Sequence, residues 1–342
     1  MAKILILGAG VMGSALTVPA TDNGHEVTLA TTPVDADVLA ALSAGGDHPR
    51  LGAPLSPDLN VVAAETLTEA DGAADLTIIG VSSPGIGWAV DEIARIKPQN
   101  TVALVTKGLV SQGKGIPLTY VDAIPKMLDE KRVTTTPLVG IGGPCIAREL
   151  AERRPTAVVF AGSTGNDPSA MKHLLETHYY RISVSHDDVG VEACAALKNF
   201  YAIGVSAMIT RHTRDGEPVK NPTAAAFQQA VDEMAHLADW LGGSEASAHG
   251  LAGVGDLHVT VGGGRNSRLG KHLGEGLTVA EAMDGPLKGE TVEGVDVGRV
   301  LAPHLAEAFA ERALSPGTFP LATSLIAAIT EGGPLGYDVG VA

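Results

Sequence analysis

Two cysteines, Cys145 and Cys194, are all that the 342-residue chain contains. They are too few for a disulfide framework, and no Cys/His spacing resembles a zinc site, so no metal is expected and a reducing, cytoplasmic setting is. Positive charge is scarce as well: 24 Lys and Arg stand against 39 Asp and Glu, a formal net charge of -15. Nucleic-acid binding needs clustered basic residues, and adhesion to acidic lipid headgroups needs the same, so the balance argues against both partners. An anionic substrate would need a local basic pocket. Long apolar runs are also missing. Glycine interrupts the first strand-like stretch too soon for a signal-peptide core, and no uninterrupted apolar run reaches about 18 residues, so no membrane insertion is expected. What remains is a globular composition, 45% hydrophobic and 18% charged, in a chain long enough for two domains with cores of their own.

The N-terminus reads MAKILILGAGVMGSALTVPATDNGHEVTLATTP. The apolar run Ile4 to Leu7 gives way to Gly8, Ala9 and Gly10, then Gly13, then a helical stretch, and a second strand from His25 to Ala30 closes a βαβ unit. In that context GxGxxG reads as a dinucleotide loop. Gly8 allows the tight turn, Gly10 lets backbone approach a pyrophosphate, and Gly13 lets the helix pack closely on the strand, with the helix N-terminus favouring the anion. The alternative is a glycine-rich strand-to-helix turn without a ligand. After the second strand, ATTPVDAD carries neither a ribose-binding acid at the strand end nor an arginine for a 2′-phosphate, so the cofactor reads as NAD or NADP.

Through roughly residue 185, strand-like segments alternate with helical ones: ILILGAG, HEVTLA, ADLTIIGV, TVALVTKG, TPLVGIGGP and PTAVVFAG. That alternation predicts an α/β fold with an N-terminal doubly wound, Rossmann-type parallel sheet. Beyond SHDDVGVEA the texture turns to alanine-rich helical stretches, predicting a mostly α-helical C-terminal domain, with residues 1–186 as the dinucleotide-binding domain and 187–342 as the helical substrate and catalytic domain. RHTRDGEPVKNP reads as one exposed loop inside the second.

Three stretches could carry chemistry. VSSPG, VTKG and GGPCIARE fall at strand ends, where parallel sheets bind ligands. Lys107 there either projects beside the dinucleotide or simply ends a strand at the surface. Lys198 sits in GVEACAALKNFYAIGVSAM among small and apolar neighbours, where a lysine either snorkels to solvent or is held in a low-dielectric cleft suited to proton transfer. GLAGVGDLHVTVGGGRNSRLG brings Asp256, Thr260, Arg265, Asn266 and Arg268 into one glycine-rich passage. It is either a solvated loop or a site where Arg265 forks onto a phosphate or carboxylate and Asp256 holds a lysine.

In order and separation, GAGVMGS, VTKG, GGPCIARE, ALKNFYAIG, GLAGVGDL, GGRN and ETVEG resemble the NAD(P)-dependent glycerol-3-phosphate dehydrogenases over most of the chain. The resemblance implies hydride transfer between NAD or NADP and a small phosphorylated substrate, sn-glycerol 3-phosphate or dihydroxyacetone phosphate, in a homodimer. It places Gly8, Gly10, Val11, Met12, Gly13, Ser14, Ser82, Lys107, Ala147, Arg265 and Glu293 on the cofactor. Lys107, Asn199, Thr260, Arg265 and Asn266 fall on the substrate, and Lys198, Lys107 and Asp256 are implied in catalysis, Lys198 as the proton donor.

The chain departs from the family pattern at Ser82, where proline is usual, and at Cys145, where Ser or Asn is usual. RHTRDGEPVKNP replaces a glycine-rich connection, and Gln228-Gln229 replaces a Thr-Arg pair expected to border the substrate. Arg211, Arg214 and Lys220 in that loop either help select the substrate or are plain surface charge. Two alternatives stay open: a related dehydrogenase of another phosphorylated polyol or hydroxy acid, and a non-catalytic dinucleotide-binding sensor.

Overall fold

Strand character in the first half follows its β-branched and leucine runs. In chain order the strands are β1 (Lys3–Leu7), β2 (Glu26–Thr31), β3 (Asn60–Ala63), β4 (Leu76–Ile79), β5 (Thr101–Leu104), β6 (Leu109–Val110), β7 (Leu118–Thr119), β8 (Leu138–Gly142), β9 (Thr156–Ala161), β10 (Tyr180–Ser185), β11 (Thr213–Arg214) and β12 (Glu217–Pro218). The structure, a computed structural model, describes residues 1–134, 138–163 and 168–339. It divides into two units, Met1–Lys107 with Tyr120–Asp188, and Gly108–Thr119 with Val189–Ala342. The short excursion β6–β7 thus belongs with the second unit although it interrupts the first in sequence.

The first unit is built on an eight-stranded sheet in the order β10-β9-β8-β5-β4-β1-β2-β3. From β3 to β8 every neighbouring pair is parallel, with Leu7 level with Ala30 and Ile79. Ile4, Ile6, Leu76 and Ile78 are at most 1% exposed, because helices cover both faces of a doubly wound sheet. Each such side chain contributes on the order of 2 kcal/mol of burial. The expectation of a parallel sheet holds except at one pairing: β9 runs antiparallel to β8, Ile141 lying opposite Phe160, and β10 then pairs parallel to β9. Between β8 and β9 the only helix is the five-residue Ala147–Ala151, short of a full crossover helix, and an antiparallel return tolerates a short connection. Of the eight strands in this sheet, β3 and β10 lie outside the strand-like segments of the sequence, as do the two-residue strands β6, β7, β11 and β12 elsewhere. β3 is half exposed at the sheet edge, and β10 alternates buried with exposed residues instead of forming an apolar run.

In the second unit the helix Asp188–Arg211 is buried from Gly190 through Met208, as expected of a helix apolar on all sides. It is the one helix among the described residues long and apolar enough to cross a membrane, and 89% of that window is buried inside the protein. Neighbouring helices reach its backbone at glycines: a Cβ on Gly270 would lie 2.2 Å from the Ile203 carbonyl oxygen, and one on Gly294 2.5 Å from that of Asn199. The β6–β7 excursion is held in the same unit by the helix Glu293–Ala310. His304, 1% exposed, pairs its Nδ1 with the Gly115 carbonyl and its Nε2 with the Ser111 hydroxyl, at 2.6 and 2.9 Å.

Glu233, on the helix Lys220–Trp240, is fully buried. It accepts hydrogen bonds from the Leu321 and Ala322 N–H groups, the Gln229 amide and the Tyr201 hydroxyl. Burial pushes its carboxyl up to about 7, against the pull of the N–H groups that open the helix Pro320–Thr330. A native pKa above the unfolded value means the native state holds the extra proton, so this contribution is full below about 4.5 and is lost as pH rises through about 7. Thermal melts of the wild type and Glu233→Gln should therefore diverge. The wild type loses up to a few kcal/mol across that window relative to the variant, and parallel melting profiles would remove Glu233 as a source of pH dependence.

Candidate functional site

In the first unit β1, β4, β5 and β8 run in one direction, so the segments following them emerge at one sheet edge. Gly8 leaves β1 with φ +109°, and a Cβ on it would lie 2.7 Å from Val81 Cγ1. Gly13 sits so close to the loop that a Cβ would stand 2.2 Å from the Gly8 carbonyl oxygen. Gly10 is different. The nearest atom to a Cβ there is the Gly80 oxygen at 3.8 Å, so the chain itself leaves room, and the space above that backbone is open to a ligand.

The helix Val11–Asp22 starts at once and has no acidic residue in its first turn, which leaves its N–H groups and positive dipole end suited to an anion. Val11 is 39% exposed. Met12 packs on the core, and Ser14 donates to the Ala9 carbonyl. Ser82 follows β4, exposed. Ser83 donates to the Lys107 carbonyl and Thr106 to that of Val81, at 2.9 and 2.7 Å, tying the β4 and β5 ends together. Lys107 is half-buried there, and Ala147 opens the short helix after β8, which packs on the helix Val11–Asp22. All the residues of this unit expected at the dinucleotide therefore lie along one edge.

Sequence reasoning missed His48. Its ring is 2% exposed, and Nε2 lies 2.9 Å from the Ala9 carbonyl oxygen while Nδ1 accepts the N–H groups of Arg50 and Leu51. An Nδ1 that accepts leaves the proton on Nε2, so the ring donates to Ala9 and braces the glycine loop. The only local signal is the turn-like HPRLG; the partner lies 39 residues away.

In the second unit Lys198 does not snorkel. It is 7% exposed, and its Nζ donates to Asp256 Oδ1 at 2.9 Å and Thr260 Oγ1 at 2.7 Å. The Thr260 hydroxyl gives its own proton to the Asp256 carbonyl at 2.7 Å, so its oxygen is oriented to accept from the lysine. Asp256 and Thr260 stand one turn apart on the helix Asp256–Val261, which explains their common partner. Burying either charge alone would cost several kcal/mol.

Beside this set, Asn266 donates to Asn199 Oδ1 at 3.1 Å and accepts the Gly294 N–H at 2.9 Å. Arg265, which opens the helix Arg265–Gly274 after Gly264 at φ +101°, is paired with Glu293. Arg268 pairs with Glu290 at 2.9 Å on the surface.

The departures from the family pattern have their own geometry. β11 and β12 form a two-residue hairpin inside RHTRDGEPVKNP. Arg211 donates to the Leu335 and Tyr337 carbonyls and His212 meets Asp338, so these side chains clamp the C-terminal segment. Arg214 folds back on the Arg211 and Thr213 carbonyls, and Lys220 is exposed. Gln228 and Gln229 donate to Asp232 and Glu233 one turn on. Among the described residues no cluster of three His, Cys, Asp or Glu could hold a metal.

Residues 3–167 match the family described as NAD-dependent glycerol-3-phosphate dehydrogenase N-terminus, and residues 187–335 match its C-terminus. The chain is 38% identical over 281 residues to the NADP(+)-dependent glycerol-3-phosphate dehydrogenase of Archaeoglobus fulgidus, covering 82% of each. It is 31% identical over 313 residues to the glycerol-3-phosphate dehydrogenase [NAD(P)+] of Leuconostoc citreum, covering 88% of this chain and 87% of that one. The crystal structure of glycerol-3-phosphate dehydrogenase from Coxiella burnetii superposes with a TM-score of 0.78 at 25% identity, over 97% of this chain and 96% of that one.

Proposed function

Because the chain belongs to the NAD-dependent glycerol-3-phosphate dehydrogenase family, we propose that it interconverts sn-glycerol 3-phosphate and dihydroxyacetone phosphate, with Lys198 as the acid/base. The observation that carries this reading is the buried Lys198–Asp256–Thr260 set, bonded at 2.9 and 2.7 Å. A bound nicotinamide supplies the hydride in one direction and takes it up in the other.

In the reduction, Lys198 Nζ gives a proton to the oxygen of the substrate carbonyl: an N–H bond breaks and an O–H bond forms as the carbon is reduced. Oxidation returns that proton from the hydroxyl to the amine. Asp256 and Thr260 hold Nζ in place, and the Asp256 carboxylate stabilises the ammonium form. Arg265, with its chain neighbour Asn266 bonded to Asn199, is assigned to the substrate phosphate, because a guanidinium at a helix start matches a phosphate in charge and geometry. The family resemblance assigns Lys107 to the substrate as well.

The first unit fits the dinucleotide. Gly10 leaves open space over the loop, and the first helix presents a turn without acidic side chains. Gly8 to Ser14 would hold the pyrophosphate, with Ser82, Lys107 and Ala147 along the same edge; Arg265 and Glu293 are assigned to the cofactor by the family resemblance alone. The same reading extends to a cytoplasmic homodimer serving glycerophospholipid metabolism.

The test is oxidation of NADH and NADPH, followed by absorbance, against a panel of phosphorylated ketones. Dihydroxyacetone phosphate should show the highest kcat/KM. A clear preference for a longer phosphorylated ketone would replace the substrate, and dinucleotide binding without turnover on any ketone would make the chain a sensor.

A further inference from the structure

After β5 the chain leaves the first unit at Lys107, runs through residues 108–119 as part of the second, and returns at Tyr120. Gly108 alone separates Lys107 from β6, and β6 pairs antiparallel with β7, Leu109 opposite Thr119 and Val110 opposite Leu118. The base of this hairpin is buried, with Leu109 at 6% and Thr119 at 1% exposure. Residues 111–116 at its tip are exposed and include Gly113 and Gly115, both at positive φ. An exposed tip of that composition gains much conformational entropy on release, so it keeps one shape only where something holds it.

The helix Glu293–Ala310 does the holding. The Gly115 carbonyl can only accept, so the proton of the His304 ring sits on Nδ1, and Nε2 accepts from the Ser111 hydroxyl. The Ser111 oxygen in turn takes the Gly113 N–H at 3.2 Å, and Glu307, on the same helix face as His304, accepts the Gly115 N–H at 2.9 Å. Both polar groups of the Gly115 backbone are thereby gripped from one helix. On its other side Lys107 is fastened to the first unit: its carbonyl accepts the Ser83 hydroxyl at 2.9 Å, and the preceding Thr106 donates to the Val81 carbonyl at 2.7 Å. The backbone at Lys107 therefore keeps a fixed direction only while the hairpin that follows it is also fixed.

We infer that His304, by clamping the 108–119 hairpin to the helix Glu293–Ala310, is a positioning residue for Lys107. The inference rests on the assignment of Lys107 to the substrate and cofactor. A lysine is a point charge on a flexible four-carbon stem, so where its ammonium stands depends on where the stem begins, and a misplacement of about 1 Å can cost on the order of 100-fold in rate. His304 acts through the chain, from Ser111 and Gly115 back along β6 to Gly108 and Lys107.

A double-mutant cycle in kcat/KM for dihydroxyacetone phosphate, measured on the purified full chain at saturating reduced nicotinamide, tests this. Lys107→Met alone should lower kcat/KM at least about tenfold, and His304→Ala at least about fivefold. The double variant should lose little beyond Lys107→Met, at least about threefold less than the product of the two single losses. His304→Asn keeps a donor for the Gly115 carbonyl and should recover part of the loss. Ser111→Ala alters an exposed residue, so it should fold like the wild type, and its smaller loss should likewise vanish in the Lys107→Met background. Losses that simply multiply in the folded proteins would overturn the inference, because a clamp that only stabilised the fold would impair both backgrounds equally. Full kcat/KM in Lys107→Met would instead overturn the assignment of Lys107, and the inference with it.

Discussion

Replacing Lys198 with arginine should lower turnover with dihydroxyacetone phosphate at least about 100-fold while leaving dinucleotide affinity and melting temperature close to those of the wild type. Arginine is the informative variant because of the surroundings. Lys198 and Asp256 are 7% and 3% exposed and directly paired, so Lys198→Met would strand a buried carboxylate and cost about 3–5 kcal/mol of stability on that account alone. Arginine keeps the charge opposite Asp256, yet its guanidinium does not release a proton in the working pH range. A loss of turnover in a folded Lys198→Arg protein therefore reports proton transfer. Lys198→Met should show the same loss in kcat together with a lower melting temperature. Near-normal turnover in either folded variant would remove Lys198 from the acid/base role and leave it a structural ion pair.

The second large effect separates two glycines that look equivalent in GAGVMG. Gly13→Val should cost several kcal/mol and prevent the first unit from folding stably, because its Cβ would be driven to 2.2 Å from the Gly8 carbonyl oxygen, with the Gly80 oxygen at 3.3 Å. Both are backbone atoms of the loop and the neighbouring strand end, and neither can turn aside as a side chain would. A Cβ on Gly10 meets nothing nearer than 3.8 Å, so Gly10→Val should fold and melt close to the wild type but bind dinucleotide at least about 100-fold more weakly, the added methyls filling the space that a pyrophosphate needs. Circular dichroism melts and fluorescence titration on the two proteins make the comparison. Intact nucleotide binding by Gly10→Val would reduce the motif to a structural turn. A stable Gly13→Val protein would mean that the helix can draw back from the strand.

The glycine loop and the buried lysine differ in how far the sequence discloses them. GAGVMG carries its reading locally, because strand, turn and helix follow one another within a dozen residues and each has its own periodicity. Lys198 did not. Its apolar neighbours are compatible with snorkelling and with burial, and the choice was made by Asp256 and Thr260, 58 and 62 residues further on. Arg211 is a similar case. As text it was a loop cation near the lysine helix, and its hydrogen bonds turn out to run to backbone carbonyls at Leu335 and Tyr337.

By itself, then, the amino-acid sequence determined the alternation of strands and helices in the first half, the helical second half, the glycine loop and the family, all of which rest on short-range periodicity or on motifs read in order. Only the tertiary structure decided that β9 returns antiparallel to β8, that residues 108–119 belong with the second unit, and that His48 braces Ala9. The reason is physical. A hydrogen bond or ion pair forms wherever folding brings a donor and an acceptor within about 3 Å, and for groups dozens of residues apart that proximity comes from the packing of the sheet and helices, which no local pattern in the chain records.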